Sequence, residues 1–286
     1  MDKKTSIRKP KSLRIQRMHL GSHLILCLWS LIVLFPIYVM IVSSFKDRLS
    51  IYVNTFGLPE TWNFSNYTDI LSSGEFMVYF RNTFVVVITS LALLLIIGSL
   101  AAYALAQWRG RWSNIIYFFF IAGMMMPLRI ASIRLLEITR FLGTLDTVWS
   151  LPPVYIAMGL PIAIFVLTEF IRQIPRDLLE AAYIDGASRL SVLVRIIAPL
   201  LRPALATITI YNLIPFWNDL WFPLIFITDV DSRTLMLGVT QLFGQYQTDW
   251  SRVMAVLTLS SLPVMILYML LSKHFVKGMT AGAIKG

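Results

Sequence analysis

The sequence predicts an all-α, polytopic membrane protein, and three observations lead there. Its 286 residues are 57% hydrophobic and 14% charged, whereas an ordinary soluble domain is about 45–50% apolar and about 25% charged. The apolar excess is gathered into long uncharged runs rather than spread along the chain, the pattern of membrane spans. The basic residues behind the net charge of +10 stand at the ends of those runs. Membrane topology uses them there, so the charge is not read as a nucleic-acid footprint.

A helix needs about 20 apolar residues to cross a roughly 30 Å hydrocarbon core. Six transmembrane helices are expected: Leu24–Phe45, Asn82–Trp108, Trp112–Leu128, Thr147–Thr168, Pro203–Thr228 and Val253–Ser272. The third is short and would be tilted or partly re-entrant past Arg129. The fifth carries one charge, Asp219. This divides the chain into an N-terminal tail (1–23), a transmembrane domain (24–272) and a C-terminal tail (273–286). The basic start is followed by a long uncharged run with no small-residue cleavage site, so a retained first span is expected rather than a removed signal.

Six spans put both termini on one side. With that side cytoplasmic, the inside segments hold 17 of the 25 Lys and Arg residues and the outside segments 8, so both tails are expected in the cytoplasm. Trp149, Trp217, Trp221 and Trp250 then fall near outer ends, and Trp108 and Trp112 near an inner one, at headgroup depth.

Prolines interrupt several spans: Pro36, Pro127, Pro152, Pro153, Pro161, Pro215, Pro223 and Pro263. Each interior proline removes a backbone donor and frees a carbonyl. Neighbouring helices or a wet cavity must satisfy such groups. Packed kinks and broken helices around a transport path both fit; the concentration in spans four and five favours a path there.

Several function classes lack their residues. The single cysteine, Cys27, excludes an intrachain disulfide and a Cys-based metal site. No phosphate-cradling G-x-x-x-x-G-K-[ST], no H-E-x-x-H and no nucleophile elbow occurs. His19, His23 and His274 sit at span ends. No catalytic residue and no metal ligand is expected. A proton-coupled carrier needs buried carboxylates or histidines, and only Asp219 and Glu169 come near that description. A secondary carrier or channel working without a partner ATPase therefore stands second, and a membrane-embedded enzyme third. The energy source is expected on another chain.

The longest charged interior segment, residues 175–203, lies between the fourth and fifth spans. Pro175 suits a helix start. Gly186 suits the left-handed turn that ends a helix, and Ser188 can cap a second one. Leu190, Leu193 or Val194, and Ile197 would share one face of that second helix. Pro199 and Pro203 stop the chain before the fifth span. The segment reads as two short helices joined at a glycine, with alanines on one face and charges on the other. It would either dock into another protein or lie on the inner leaflet.

The spacing Glu180-Ala181-Ala182, Gly186, Ile196, Pro199 resembles the EAA loop of permease subunits of binding-protein-dependent ABC importers. The wording "EAAYIDGAS" and "RIIAPLLRPAL" is similar to the smaller permease of the maltose-type carbohydrate branch. So are "WNDLWFPLIF" (217–226) and the ending "FVKGMTAGAIKG" (275–286). Ala198 stands where that branch usually has leucine. The resemblance implies a type I importer permease fold in the bacterial inner membrane, with a coupling loop over 175–199. It implies that Glu180, Ala181, Ala182, Asp185 and Gly186 couple to the ATPase, and that Gly278, Gly282 and Gly286 carry a C-terminal tail contact. It implies as partners a second, different permease, two ATPase subunits and an extracytoplasmic solute-binding protein. ATP and Mg would be bound by the ATPases, with no cofactor in this chain.

The cargo is expected to be a sugar or sugar derivative. Aromatic and hydrogen-bonding residues suit a sugar site, and Tyr211, Asn212, Trp217, Asn218 and Asp219 lie in the fifth span. Arg129 and Arg134, with Arg140, cluster near the expected outer face. Glu137 would neutralise one of them, and the others would bind an anionic group, lipid headgroups or the partner protein.

Overall fold

The computed structural model describes residues 12–108, 110–243 and 248–283. All regular structure among them is helical. In chain order the helices are α1 Ser12–Ser44, α2 Ser50–Val53, α3 Ser65–Ser72, α4 Glu75–Gln107, α5 Arg111–Gly123, α6 Ser132–Phe141 and α7 Leu151–Arg172. They continue as α8 Arg176–Ile184, α9 Arg189–Val192, α10 Ala198–Leu200, α11 Arg202–Trp217, α12 Trp221–Phe226, α13 Leu235–Val239 and α14 Trp250–Ala283.

Four helices are long and apolar enough to cross a membrane within Gly21–Ser44, Glu75–Gln107, Val148–Arg172 and Trp250–Leu270. The α9–α10 segment and α11, bent by 74° at Leu201, form a fifth, broken candidate. The expected third span differs. Its helix α5 has 13 residues, which at about 1.5 Å per residue covers about 20 Å. The chain then turns at Met124–Met126 ahead of Pro127 and continues through a 3-10 turn into α6. The fifth span also stops early: α11 ends at Trp217, and α12 starts only at Trp221. Pro215 and Pro223 remove two ladder donors around that gap.

The residues form two compact units. One contains the chain up to Tyr67 together with Asp249–Thr258. Here the lipid-length part of α1 exposes Leu24, Ile25, Trp29 and Leu31, as a bilayer requires. After it the chain folds back on itself. Buried Lys46 donates to the carbonyls of Asn54 and Thr55, and the Phe45 ring packs with Trp62, Phe64 and Tyr67.

The other unit contains Thr68–Thr248 with the rest of the chain, and its centre is α4 against α7. Leu94, Leu151, Ala163, Ile164 and Leu167 are buried there. Small residues permit the approach. A Cβ on Gly98 would lie 3.1 Å from Ala163 Cβ, and one on Gly159 would lie 2.5 Å from Leu94 Cδ2 and 2.8 Å from Asn212 Oδ1. Gly159 therefore sets the approach of α7 to both α4 and α11. Gly159→Ala is expected to cost about 1–3 kcal/mol by overpacking, read as a lowered Tm of the purified protein. Gly123→Ala, whose Cβ would meet only Pro161 Cγ at 3.6 Å, should stay within about 0.5 kcal/mol.

Candidate functional site: a projecting helical hairpin and a cavity at the broken span

The hairpin begins where α7 ends. Pro175 occupies the N-cap of α8. The helix closes with Ala187 N donating to Ala182 O (2.9 Å) and Gly186 N to Tyr183 O (3.0 Å). These paired bonds are a Schellman motif, which needs a left-handed residue at its turn. Gly186 supplies it with φ +82° and nothing within 4 Å of a would-be Cβ. Glycine is thus required here by backbone conformation, not by crowding. Ser188 Oγ then accepts from Ser191 N (3.3 Å) and caps α9.

The second helix departs from its expected face. Val192, Leu193 and Ile197 are buried, while Leu190 and Val194 are exposed. A π-helical turn runs over Leu193–Ile197, with a wider winding than the 3.6-residue register, and Leu190 lies before it in the first turn of the short α9.

Glu180, Ala181 and Asp185 are exposed, and Ala182 and Ala187 half-buried. Around them Leu178, Ile184, Leu190 and Val194 present uncovered apolar surface, Ile184 at 86% exposure. Inward, Leu179 is buried, and the hydroxyls of Tyr183 and Tyr103 share a hydrogen bond (2.7 Å). That bond ties the hairpin to the last turns of α4. At the base, Glu169 accepts from Tyr117 (2.8 Å) and from Arg172 (2.9 Å). Gly278 and Gly282 lie in α14; Gly286 lies outside the described residues.

At the other end of the same unit, the break between α11 and α12 lines a cavity of about 750 Å³. Asp219 holds the break open. Its carboxylate accepts from Trp221 N (3.1 Å), Phe222 N (3.3 Å) and the Tyr155 hydroxyl (2.9 Å), so it starts α12 and anchors it to α7. Trp221 Nε1 donates to Ser132 Oγ (2.9 Å), and the Arg129 guanidinium stands over the Trp221 ring (5.3 Å).

Of the expected pathway residues, Arg129, Asn218 and Asp219 share this cavity. Trp217 is buried, its Nε1 bonded to Ser260 O (3.0 Å). Buried Asn212 bonds to Ile208 O (2.9 Å). Tyr211 is exposed on α11, and Arg134 pairs with Glu137 (2.7 Å). Sequence reasoning missed Tyr155, Ser132 and Trp221 as partners of this site. A lone tyrosine hydroxyl inside an apolar span was the available signal, since such a group needs a partner.

Beside the cavity, Asp146 ties two loops together. It accepts from Thr228 N (2.6 Å), Thr228 Oγ1 (2.9 Å) and Asp229 N (2.7 Å). These bonds favour the charged form and hold its carboxyl below the usual carboxylate range, the Asp229 amide contributing most.

A family model described as binding-protein-dependent transport system inner membrane component matches residues 94–281. The chain belongs to this family. The permease is 38% identical over 262 residues to a putative ABC transporter permease of Caldicellulosiruptor sp. (strain Rt8B.4), covering 91% of this chain and 95% of that one. It is 31% identical over 266 residues to the diacetylchitobiose uptake system permease NgcG of Streptomyces coelicolor, covering 92% and 88%. It shares its fold with a chain from the crystal structure of a bacterial ABC transporter involved in the import of the acidic polysaccharide alginate. That likeness has TM-score 0.79 and 24% identity, and covers 94% of this chain and 100% of the other. The protein is an ABC importer permease that passes the membrane several times.

Asp146→Asn tests the loop tie. Asparagine tolerates the residue's positive φ of 62°, so the change isolates the charge. A carboxyl whose folded pKa is depressed stabilises fully above its unfolded value, about 3.9, and loses that stabilisation as pH falls through the folded one. The variant should melt below wild type by a constant margin at neutral pH. The margin should close only in acid, below the ordinary carboxylate pKa. A margin that persists at the lowest pH would show that charge is not the cause.

Proposed function

We propose that this permease carries a sugar or an anionic sugar derivative, paired with a second, different permease. An extracytoplasmic binding protein would deliver the cargo, and two ATPase subunits, binding ATP and Mg, would drive the cycle from the cytoplasm. The observation that carries the reading is the projecting hairpin: exposed outward, left-handed at Gly186, and hydrogen-bonded inward to α4. A rigid peg of this kind passes a movement of a docked ATPase to the helix it is bonded to. Glu180 is its exposed charge for a basic partner group. Gly278, Gly282 and Gly286 belong to the tail proposed to reach the ATPases, and both tails are cytoplasmic in this reading.

The sugar class is supported by the diacetylchitobiose relative and by the partly aromatic lining of the cavity at the α11–α12 break, which carries a few polar groups. Irregular backbone at membrane depth is tolerated where it lines a cavity. Arg129 gives that cavity a cation, held in place by the Trp221 ring, which suits a carboxylate or phosphate substituent.

Gly186→Val tests the coupling role in the complex reassembled with its second permease, ATPases and loaded binding protein. The subunits should still assemble, while ligand-stimulated ATPase activity falls to the basal level. Gly186→Asn, whose side chain tolerates the left-handed turn, should recover part of it. Wild-type stimulation and uptake by the valine variant would overturn the role. Arg129→Gln should lower uptake of an acidic oligosaccharide more than that of a neutral one. Equal losses would remove the anion-binding role.

A further inference from the structure

A second cavity, of about 530 Å³, takes no part in the transport reading. It lies where the end of α4, the start of α5, the end of α7 and the start of α8 meet. Its charged wall residues are Arg111, Arg172 and Arg176, and among the described residues no Asp or Glu lines it. Two of these arginines open helices: Arg111 is the first residue of α5 and Arg176 the first of α8. Gly110 and Pro175 stand at the two N-caps, and neither helix start receives a side-chain cap. The unpaired donors and positive ends of two helices thus add to three guanidinium groups.

Arg172 is held in place by Glu169 (2.9 Å) and by the Tyr117 ring (4.8 Å). Arg111 and Arg176 form no ion pair among the described residues. Asp177 follows in the first turn of α8 but is not on the cavity wall. The amides of Gln107 and Asn114 add to the polar lining. Guanidinium groups supply the bidentate donors that phosphate takes.

The surroundings select which phosphate. Trp108 on the wall and Trp112 next to it are exposed, and farther along α5 Phe118 and Phe119 are exposed at 64% and 73%. Indoles at headgroup depth above an apolar helix face mark a membrane interface. We propose that this cavity binds the headgroup phosphate of an anionic phospholipid, with its acyl chains along the exposed face of α5. A basic recess between helix ends suits such a headgroup. The proposal takes from the transport reading only the leaflet, the cytoplasmic one that the hairpin faces, and is independent of the cargo.

Native mass spectrometry of the purified complex, titrated with phosphatidylglycerol or phosphatidylcholine, tests it. The wild type should retain phosphatidylglycerol in preference. The double variant Arg111→Gln/Arg176→Gln should bind it about tenfold more weakly or worse, as expected for two lost cations at a membrane surface. Asn114→Asp keeps all three arginines and adds a carboxylate to the wall, and should also lose the preference. This second variant keeps the test decisive if the first does not fold. Equal retention of the two lipids by wild type would overturn the proposal, as would undiminished phosphatidylglycerol binding by a folded variant. Displacement of the lipid by millimolar inorganic phosphate alone would reassign the cavity to free phosphate. Loss of the ATPase subunits from the double variant with lipid binding unchanged would reassign the arginines to a protein contact. Wild-type ligand stimulation of the ATPase in the Gly186→Val complex, with the lipid preference intact, would count against the coupling role and leave the lipid site standing.

Discussion

In a bilayer two helices gain little by hiding apolar surface from one another, because lipid tails are as apolar as their side chains. They hold together by packing, and packing depends on how near the backbones come. α4 and α7 come near because Gly98 faces Ala163 and Gly159 faces Leu94. The rest of the second unit hangs on that approach. α11 joins it where Asn212 reaches the same glycine. The start of α4 takes hold of the segment before α13, with Asn82 donating to the carbonyls of Asp231 (2.7 Å) and Arg233 (3.0 Å).

The pair also holds the hairpin and the broken span. α7 carries Tyr155, whose hydroxyl donates to the Asp219 carboxylate and so fixes the broken span. Three turns and more along, the same helix carries Glu169 and Arg172 and then runs into the hairpin. α4 meets the hairpin from the other side through Tyr103. A shift of the hairpin is thus resisted by, or passed to, the two helices that pack most closely. That is the condition for a lever: a stiff element with a polar joint at its short end.

The sequence made the hairpin legible almost residue by residue. Pro175, Gly186 and Ser188 are backbone punctuation, and punctuation acts locally, so each stands where its chemistry placed it. The π-helical turn at Leu193–Ile197 was not legible, because nothing in "LVRII" distinguishes it from an ordinary helical turn. The long spans were legible from length alone. The short α5 and the break at Asn218–Leu220 were only half so. Pro127, Pro215, Pro223 and the lone Asp219 marked where the ladder would fail, but apolar runs do not show where it fails. The partners of the cavity were hidden because Tyr155, Ser132 and Trp221 meet across tens of residues. Such contacts follow from packing rather than from spacing. The phosphate-binding recess was hidden for the same reason: Arg111 and Arg176 look like ordinary basic residues at span ends until four helix ends converge.

The central claim is that the hairpin is a docking peg and not an amphipathic loop lying on lipid. With Cys27 replaced by serine, a single cysteine at position 184, the most exposed apolar residue of the hairpin, can be labelled with a membrane-impermeant maleimide. The permease in nanodiscs should label readily without ATPase subunits and become protected when they are added, while a cysteine at Ile133 on α6 labels equally in both. Protection at position 184 before any ATPase is present, or equal labelling with and without it, would contradict the account.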